Sequence, residues 1–271
     1  EKPMEFAFLN SVLASGNMPP RDPWLSGYAI SYYYFGYVMM GMLTELTQVL
    51  PSMAFNLAVA LLFGLTFTHG SGVVLNLIAL TRRSAVDAPP RDLAFDVLPA
   101  ALGGLLVAGV GNFNGLLEVL HHRALLPGQF WTWLNIENTD FAPTAAGEGW
   151  IPSRYLWWWQ SSRVLRDLDL QGNPIGLNPI DEFPFFSFLL GDVHPHVLAL
   201  PFVVLAVGVA LNLFLLSRSD EDVGRPFWLP LAPADLLFGA LVLGALAFLN
   251  TWDFPIYVFV TVAGYLVARQ M

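Results

Sequence analysis

Three residues with metal-binding side chains stand at alternate positions in the sequence GDVHPH, immediately before a long apolar run: Asp192, His194 and His196. Carboxylate and imidazole groups are ligands for Zn or Mn, and the intervening Pro195 holds the backbone out of a regular helix. Ionisable groups at the edge of a bilayer are costly and are more often functional than decorative. The pattern predicts a site for a divalent metal (Mn, Mg or Zn), or a site where a protonated histidine contacts phosphate. The alternative is that these residues only cap the helix that follows.

Arginine and tryptophan side chains form a second group of candidates, in the long segment before this motif. Arg154 and Arg163 flank the sequence YLWWWQSS. Guanidinium groups fit phosphate oxygens, and a tryptophan such as Trp159 can line a lipid groove. Interfacial anchoring of a loop helix is the alternative for both arginines. Lys2 is a candidate phosphate contact of the same kind.

Tyr33 and Asp253 complete the candidates for substrate binding. Tyr33 lies in the run YYYFGY, which is typical of an aromatic belt at headgroup level, with a sugar-binding platform as the alternative. Asp253 stands close to Pro255 between two apolar runs, where a turn or helix-cap role competes with a role in binding.

The composition indicates the class of protein that must position these groups. Of 271 residues, 55% are hydrophobic and 12% are charged, and the mean hydropathy is +0.56. We therefore predict an all-α polytopic membrane protein, a bundle of transmembrane helices with additional interfacial helices. The net charge of -9, with one Lys against eleven Arg, argues against nucleic acid as a partner. The absence of cysteine excludes disulfides and thiolate metal sites.

Apolar length predicts about five membrane crossings, because a helix needs roughly 20 apolar residues to cross about 30 Å of hydrocarbon. The predicted spans are residues 53–80, 97–117, 193–217, 233–251 and 254–269. Arginines concentrate in three places that we expect to be cytoplasmic, namely at Arg82, Arg83 and Arg91, at Arg218 and Arg225, and at Arg269.

Alternation of the spans then places the remaining segments on the external face. Residues 1–27 are expected to form an external loop with an amphipathic helix, and residues 118–192 a long external loop. Residues 28–50 are expected to form a juxtamembrane helix that does not cross, since a crossing there would put the arginines after residue 80 on the wrong face. We interpret residues 1–271 as a single membrane domain and as a fragment of a longer protein.

Five motifs along the chain resemble those of the archaeal and Chloroflexi "YYY" membrane-protein family. In order they are EKPMEF, YYYFGY, WWQSSR, EFPFFS and GDVHPH, which begin at Glu1, Tyr32, Trp158, Glu182 and Gly191. That family is in turn similar to the GT-C superfamily of membrane glycosyltransferases. The resemblance implies a prokaryotic cell-membrane protein with an active site on the extracytoplasmic side, juxtamembrane helices beneath it, and a polyprenyl-phosphate sugar donor in the lipid.

The same resemblance implies transfer of a glycosyl group from a lipid phosphate to an acceptor hydroxyl or amide. Such enzymes carry an acidic residue early in the first external loop, and Glu5 followed by Phe6 matches this feature. We assign Glu5 as the candidate general base and Asp192 as the second catalytic carboxylate. The alternative for Glu5 is an acid favoured by the dipole at a helix start. The usual pair of neighbouring acids is replaced here by Glu5 and by Asp192-x-His194, which leaves metal dependence open.

Two other classes of function stay open. A transporter or lipid-binding scaffold would place polar groups near the bilayer midplane, and His69 is the one ionisable residue deep in a predicted span. A membrane metallohydrolase would use Asp192, His194 and His196 to activate water. The chain lacks the His-Glu-x-x-His pattern of common zinc proteases.

Overall fold

The computed structural model describes residues 2–83, 93–176, 179–216 and 232–270, and within these ranges the chain is helical with no β-strand. The prediction of an all-α membrane protein is therefore confirmed. The α-helices are α1 (Lys2–Ala14), α2 (Phe35–Thr47), α3 (Pro51–Arg83), α4 (Leu93–Gly109), α5 (Asn114–His122), α6 (Gly128–Leu134), α7 (Pro184–Leu190), α8 (Pro195–Leu216), α9 (Pro233–Leu249) and α10 (Asp253–Gln270). A 3₁₀-helix covers Trp157–Ser162.

The chain forms two compact units. The first, here the helical bundle, comprises the residues up to Gly109 and those from Ser187 onward. The second, here the loop unit, is Val110–Phe186, and it contains most of the predicted external loop 118–192. That long segment folds as a unit of its own because its polar and aromatic side chains bond and pack with one another.

Two helices are long and apolar enough to cross a membrane, Pro51–Thr81 within α3 and Pro195–Leu215 within α8. They correspond to the predicted spans 53–80 and 193–217, the last residue of which lies outside the described residues. A third crossing is added if α4 and α5 together count as one broken span. The crossings predicted over 233–251 and 254–269 coincide with α9 and α10 and stay predictions. Of the arginines that set the predicted topology, Arg91, Arg218 and Arg225 also lie outside the described residues.

The predicted span 97–117 is not one continuous helix. Helix α4 ends at Gly109, and α5 begins at Asn114. Asn112 accounts for the interruption, because its side-chain amide donates to the carbonyl of Ser161 at 2.6 Å and its Oδ1 accepts the N–H of Asn114 at 3.3 Å. These bonds keep the backbone of the intervening residues out of the helical hydrogen-bond ladder.

Helices α3 and α4 pack closely through small residues. A Cβ at Gly104 of α4 would overlap the carbonyl oxygen of Phe67 and the hydroxyl of Ser71 in α3. A Cβ at Gly70 of α3 would lie 3.2 Å from the Gly104 Cα. Small residues at such a contact let two helix backbones approach in a membrane, where packing rather than burial from water drives association.

Helix α2 is shorter than the juxtamembrane helix predicted over 28–50. It begins only at Phe35 because the preceding residues take part in a turn, in which Arg21 and Ala29 form an antiparallel bridge. The N–H of Ile30 donates to the carbonyl of Pro20 at 3.0 Å within the same turn. The triple tyrosine therefore lies in non-helical chain that leads into α2.

The core next to this turn joins α1, α2, α3 and α8. Buried apolar side chains from the four helices form one cluster, which includes Phe8 and Leu9 of α1, Tyr37 of α2, Leu62 of α3 and Leu198 of α8. Glu5 lies on the same buried face of α1. The packing therefore fixes the start of α1 against the start of α8.

Candidate functional site

Glu5 lies in the first turn of α1 with its side chain fully buried. One carboxylate oxygen, Oε2, accepts the backbone N–H of Val193 at 2.9 Å. The other, Oε1, lies 3.0 Å from Nδ1 of His194. A buried carboxylate is tolerated only when it is paired or hydrogen-bonded, and these partners come from the motif 188 residues or more along the chain.

The motif GDVHPH forms the connection from α7 to α8. Gly191 follows α7 in the left-handed region at φ 66°, which glycine adopts without strain. The N–H of Asp192 donates to the carbonyl of Ser187 at 2.9 Å, closing the turn. Pro195 is the first residue of α8, and the His194 carbonyl accepts N–H groups of its first turn. This turn directs Asp192 and His194 toward α1.

The side chains of Glu5, Asp192 and His194 meet in one cluster. Each offers a ligand atom within 4.8 Å of those of the other two. Asp192 is 4% exposed, and its side chain forms a hydrogen bond with Glu5. Two buried carboxylates in contact hold fewer than two negative charges unless a proton or a cation lies between them.

Histidines 194 and 196 have different surroundings. Nε2 of His194 lies 2.9 Å from the hydroxyl of Tyr32, so both ring nitrogens of this histidine face a polar partner. His196 instead directs Nε2 toward the Ser187 hydroxyl at 3.3 Å. The two rings are 5.4 Å apart between centroids. The structure groups two of the predicted metal ligands, Asp192 and His194, with Glu5, and it groups His196 with Asp192 separately. Metal binding by these residues stays a prediction.

Hydrogen bonding controls the protonation of Glu5. Burial raises the pKa of its carboxyl, but hydrogen bonds from His194, Asp192 and the Val193 N–H outweigh burial and hold the pKa below its usual value. Tyr37 on α2 has a buried hydroxyl that no group in the described part of the chain hydrogen-bonds. Burial raises the pKa of this hydroxyl, and the nearby charges of Glu5 and Asp192 raise it further. Glu5 is therefore ionised at neutral pH and Tyr37 is protonated.

Three predicted substrate contacts lie in the helical bundle. The Lys2 ammonium lies beside Gly191, 3.2 Å from where a Cβ on that glycine would be. Tyr33 lines a cavity of about 210 Å³ that Phe35 and Phe248 also line. Asp253 begins α10 and accepts a hydrogen bond from the Asn250 amide at 3.1 Å, which suits the turn role that the sequence left open.

The predicted phosphate contacts of the loop unit are already bonded within that unit. Arg154 pairs with Glu118, a buried carboxylate. Arg163 donates to the carbonyl and the hydroxyl of Ser162 at 2.8 and 2.7 Å, and its guanidinium lies 5.5 Å from the centre of the Trp159 ring. The ion pair with Glu118 indicates a structural role for Arg154. The Arg163 guanidinium has five N–H donors, so some of them stay available to a ligand while it stacks on the Trp159 ring.

Sequence reasoning missed three groups around the cluster and one acid in the loop unit. Tyr32 lies in the run that the sequence analysis interprets as an aromatic belt. Three consecutive tyrosines do not show which of them faces a histidine. Tyr37 and Ser187 gave no signal, because a single tyrosine or serine in an apolar segment is common. Glu118 carried a weak signal as a lone acid in an apolar stretch.

The fold and the buried polar cluster define an all-α membrane protein with a candidate site at the start of a long apolar helix. The chain belongs to the uncharacterized membrane protein family DUF2298, whose model matches residues 1–271. No curated protein and no solved structure matches the chain.

Proposed function

We propose that this chain is the glycosyl-transferring module of a membrane glycosyltransferase, with a GT-C-like active site on the extracytoplasmic side of a prokaryotic cell membrane. The donor is a sugar on polyprenyl phosphate, and the acceptor is a hydroxyl or an amide. The observation that carries the proposal is the Glu5–Asp192–His194 cluster, a buried set of ionisable groups at the start of α8. Such groups beside an apolar bundle are costly and support a catalytic role.

The reaction needs a proton acceptor and stabilisation of a leaving phosphate. The acceptor O–H or N–H loses its proton to a carboxylate as its heteroatom bonds to the anomeric carbon, while the bond from that carbon to the phosphate oxygen breaks and the phosphate keeps the electron pair. Glu5 is the ionised carboxylate of the pair, and Asp192 is hydrogen-bonded to it. We therefore assign the acceptor's proton to Glu5, the general base expected from the sequence, with Asp192 as the second catalytic carboxylate.

Cationic and aromatic groups supply the remaining contacts. Lys2 beside Gly191 is placed to neutralise phosphate next to the cluster. The cavity at Tyr33 is walled by aromatic rings of the kind that pack on sugar faces. Arg163 and Trp159 are proposed as further lipid-phosphate contacts from the loop unit. The apolar surfaces of α3 and α8 suit a polyprenyl chain in the membrane.

A transport or lipid-binding function is the second candidate, because of one further cavity. A space of about 580 Å³ lies among α3, α8, α9 and α10 in the helical bundle. Its wall is largely apolar but includes His69, Asn76, Asn212 and Asp235. Polar groups in an apolar cavity among such helices are expected of a binding site within a transporter. The ring of His69 is itself held within the helical bundle, because Nδ1 lies 2.8 Å from the carbonyl oxygen of Pro201.

The test is transfer from labelled polyprenyl-phosphate sugar in membranes that carry the full-length protein. We expect Glu5→Gln and Asp192→Asn to lower the transfer rate by about 100-fold or more, as loss of a general base or of a charge that stabilises a transition state does. Glu45→Gln is the matched control, because Glu45 is an exposed acid elsewhere in the bundle. Transfer that persists in both site variants would remove the proposed centre. Release of free sugar without an acceptor would favour hydrolysis instead.

A further inference from the structure

We propose that Glu5, Asp192 and His194 bind one divalent cation, and that His196 does not take part. The inference deepens the proposed function, since it concerns the same site, but the binding itself requires no sugar transfer. Each of the three side chains offers a ligand atom, and the three atoms lie within 4.8 Å of one another. They supply two carboxylate oxygens and one imidazole nitrogen, a set that suits Mn²⁺ or Zn²⁺.

The spacing of the facing atoms agrees with a shared ion. Ligand atoms at about 2.1 Å from a tetrahedral ion are about 3.4 Å from each other. Oε1 of Glu5 and Nδ1 of His194 are 3.0 Å apart. An ion between these atoms would therefore require them to separate by only a few tenths of an ångström.

The outer atoms of the same two side chains are held as metal ligands usually are. Glu5 Oε2 accepts the Val193 N–H at 2.9 Å, which leaves Oε1 to face the cluster. His194 Nε2 bonds the Tyr32 hydroxyl at 2.9 Å, which leaves Nδ1 to face Glu5. A metal-bound histidine almost always has a polar partner on its other nitrogen, and that partner fixes the orientation of the ring. Tyr32 is thus a positioning residue for His194.

Tyr37 provides an independent indication of a missing ligand. Its side chain is 1% exposed, and its hydroxyl has no hydrogen-bond partner among the described residues. Tyr37 belongs to the same buried cluster as Val193, the residue between Asp192 and His194, and the charges of Glu5 and Asp192 act on its hydroxyl. A buried hydroxyl that lacks a partner costs about 1 to 3 kcal/mol. A water on the cation would satisfy it, because ions in open sites keep water ligands.

His196 is not grouped with Glu5 and His194, although one of its ring nitrogens lies within 4.8 Å of an Asp192 oxygen. Its Nε2 faces the hydroxyl of Ser187 at 3.3 Å, and it is absent from the set that contains Glu5 and His194. Two histidines at alternate positions therefore have separate tasks. His194 contributes to the cation site, and His196 ties the start of α8 to Ser187.

The experiment is Mn²⁺ binding by the purified full-length protein, stripped of metal by chelation and measured by electron paramagnetic resonance of free Mn²⁺. We expect one tightly bound Mn²⁺ per chain that Zn²⁺ displaces. Glu5→Gln and His194→Asn should each weaken binding by at least about 10-fold, since each removes a direct ligand. His196→Gln and the control Glu45→Gln should bind as the unchanged protein does. Size-exclusion profiles and thermal unfolding identify variants that fail to fold, and for these the milder Glu5→Asp takes the place of the glutamine variant.

Nitrogen hyperfine coupling of bound Mn²⁺ gives a second measurement. It should show one imidazole in the unchanged protein and none in a folded His194→Asn protein. Absence of Mn²⁺ and Zn²⁺ binding, equal binding by Glu5→Gln, or loss of binding in folded His196→Gln would each overturn the inference. Metal binding without sugar transfer would leave the inference standing and reject the proposed function. Sugar transfer by a protein that binds no metal and is unaffected by chelators would overturn the inference and support the proposed function.

Discussion

Replacement of Tyr32 by phenylalanine tests whether a hydroxyl outside the direct ligands controls the site. The substitution removes one atom, which lies 2.9 Å from Nε2 of His194. It keeps the ring, whose centroid lies 6.0 Å from that of Phe8 and 6.0 Å from that of His194. Any effect on the site therefore comes from the lost hydrogen bond rather than from lost packing.

The size of the effect should differ between stability and function. A neutral hydrogen bond contributes about 0.5 to 1.5 kcal/mol to folding, and Tyr32 is 38% exposed, so the lower end of this range applies. Loss of a group that orients a metal-bound histidine costs about 10- to 100-fold in metal affinity or activity, equivalent to about 1.4 to 2.7 kcal/mol. The functional loss should therefore exceed the loss of stability.

The assay compares Mn²⁺ affinity, sugar transfer and thermal unfolding for Tyr32→Phe with those for Tyr33→Phe. The neighbouring tyrosine lines the aromatic cavity and does not bond His194. We expect Mn²⁺ affinity to fall only in Tyr32→Phe. Equal affinities in the two variants would refute the idea that Tyr32 orients the imidazole.

Two other substitutions, one in each unit, test contacts that hold that unit together. Gly104→Ala should destabilise the α3–α4 pair by about 1 to 3 kcal/mol, because its Cβ would overlap the Phe67 carbonyl. The control is Gly64→Ala, which has open space around the new Cβ. This control protein should unfold at the temperature of the unchanged protein or above. Arg154→Ala should cost the loop unit about 1 to 3 kcal/mol, because it leaves the buried Glu118 carboxylate without its partner, while the 39% exposure of the Arg154 side chain lets solvent weaken the pair. Adding Glu118→Gln should recover part of this loss in chemical unfolding; no recovery would mean that the ion pair does not carry the effect.

The sequence predicted the fold class because composition and long apolar runs reflect the membrane directly. It predicted the positions of α3 and α8 for the same reason. The break after Gly109 was not predicted, since it depends on a bond from Asn112 to Ser161, 49 residues away. The start of α2 at Phe35 depends in the same way on a turn bridged by Arg21. Contacts between distant residues are not visible in local periodicity.

The candidate site shows the same limit. Glu5 and the GDVHPH motif could each be selected from residue type and position. Their direct contact could not, because 189 residues separate Glu5 from His194. The spacing of ligand residues at every second position also could not distinguish His194 from His196, since both lie next to Pro195. The turn at Gly191 and the packing of α1 against α2 and α3 decide which imidazole faces the carboxylates.

The most direct measurement of the central claim is a double-mutant cycle on sugar transfer with Glu5→Gln, His194→Asn and the protein that carries both. Residues that act as one unit show strongly non-additive losses. Because Oε1 of Glu5 and Nδ1 of His194 face each other at 3.0 Å, we expect the double variant to be about as slow as the slower single variant. Losses that multiply, with the double variant slower by the product of the two single effects, would show that the two residues work independently and would contradict the account.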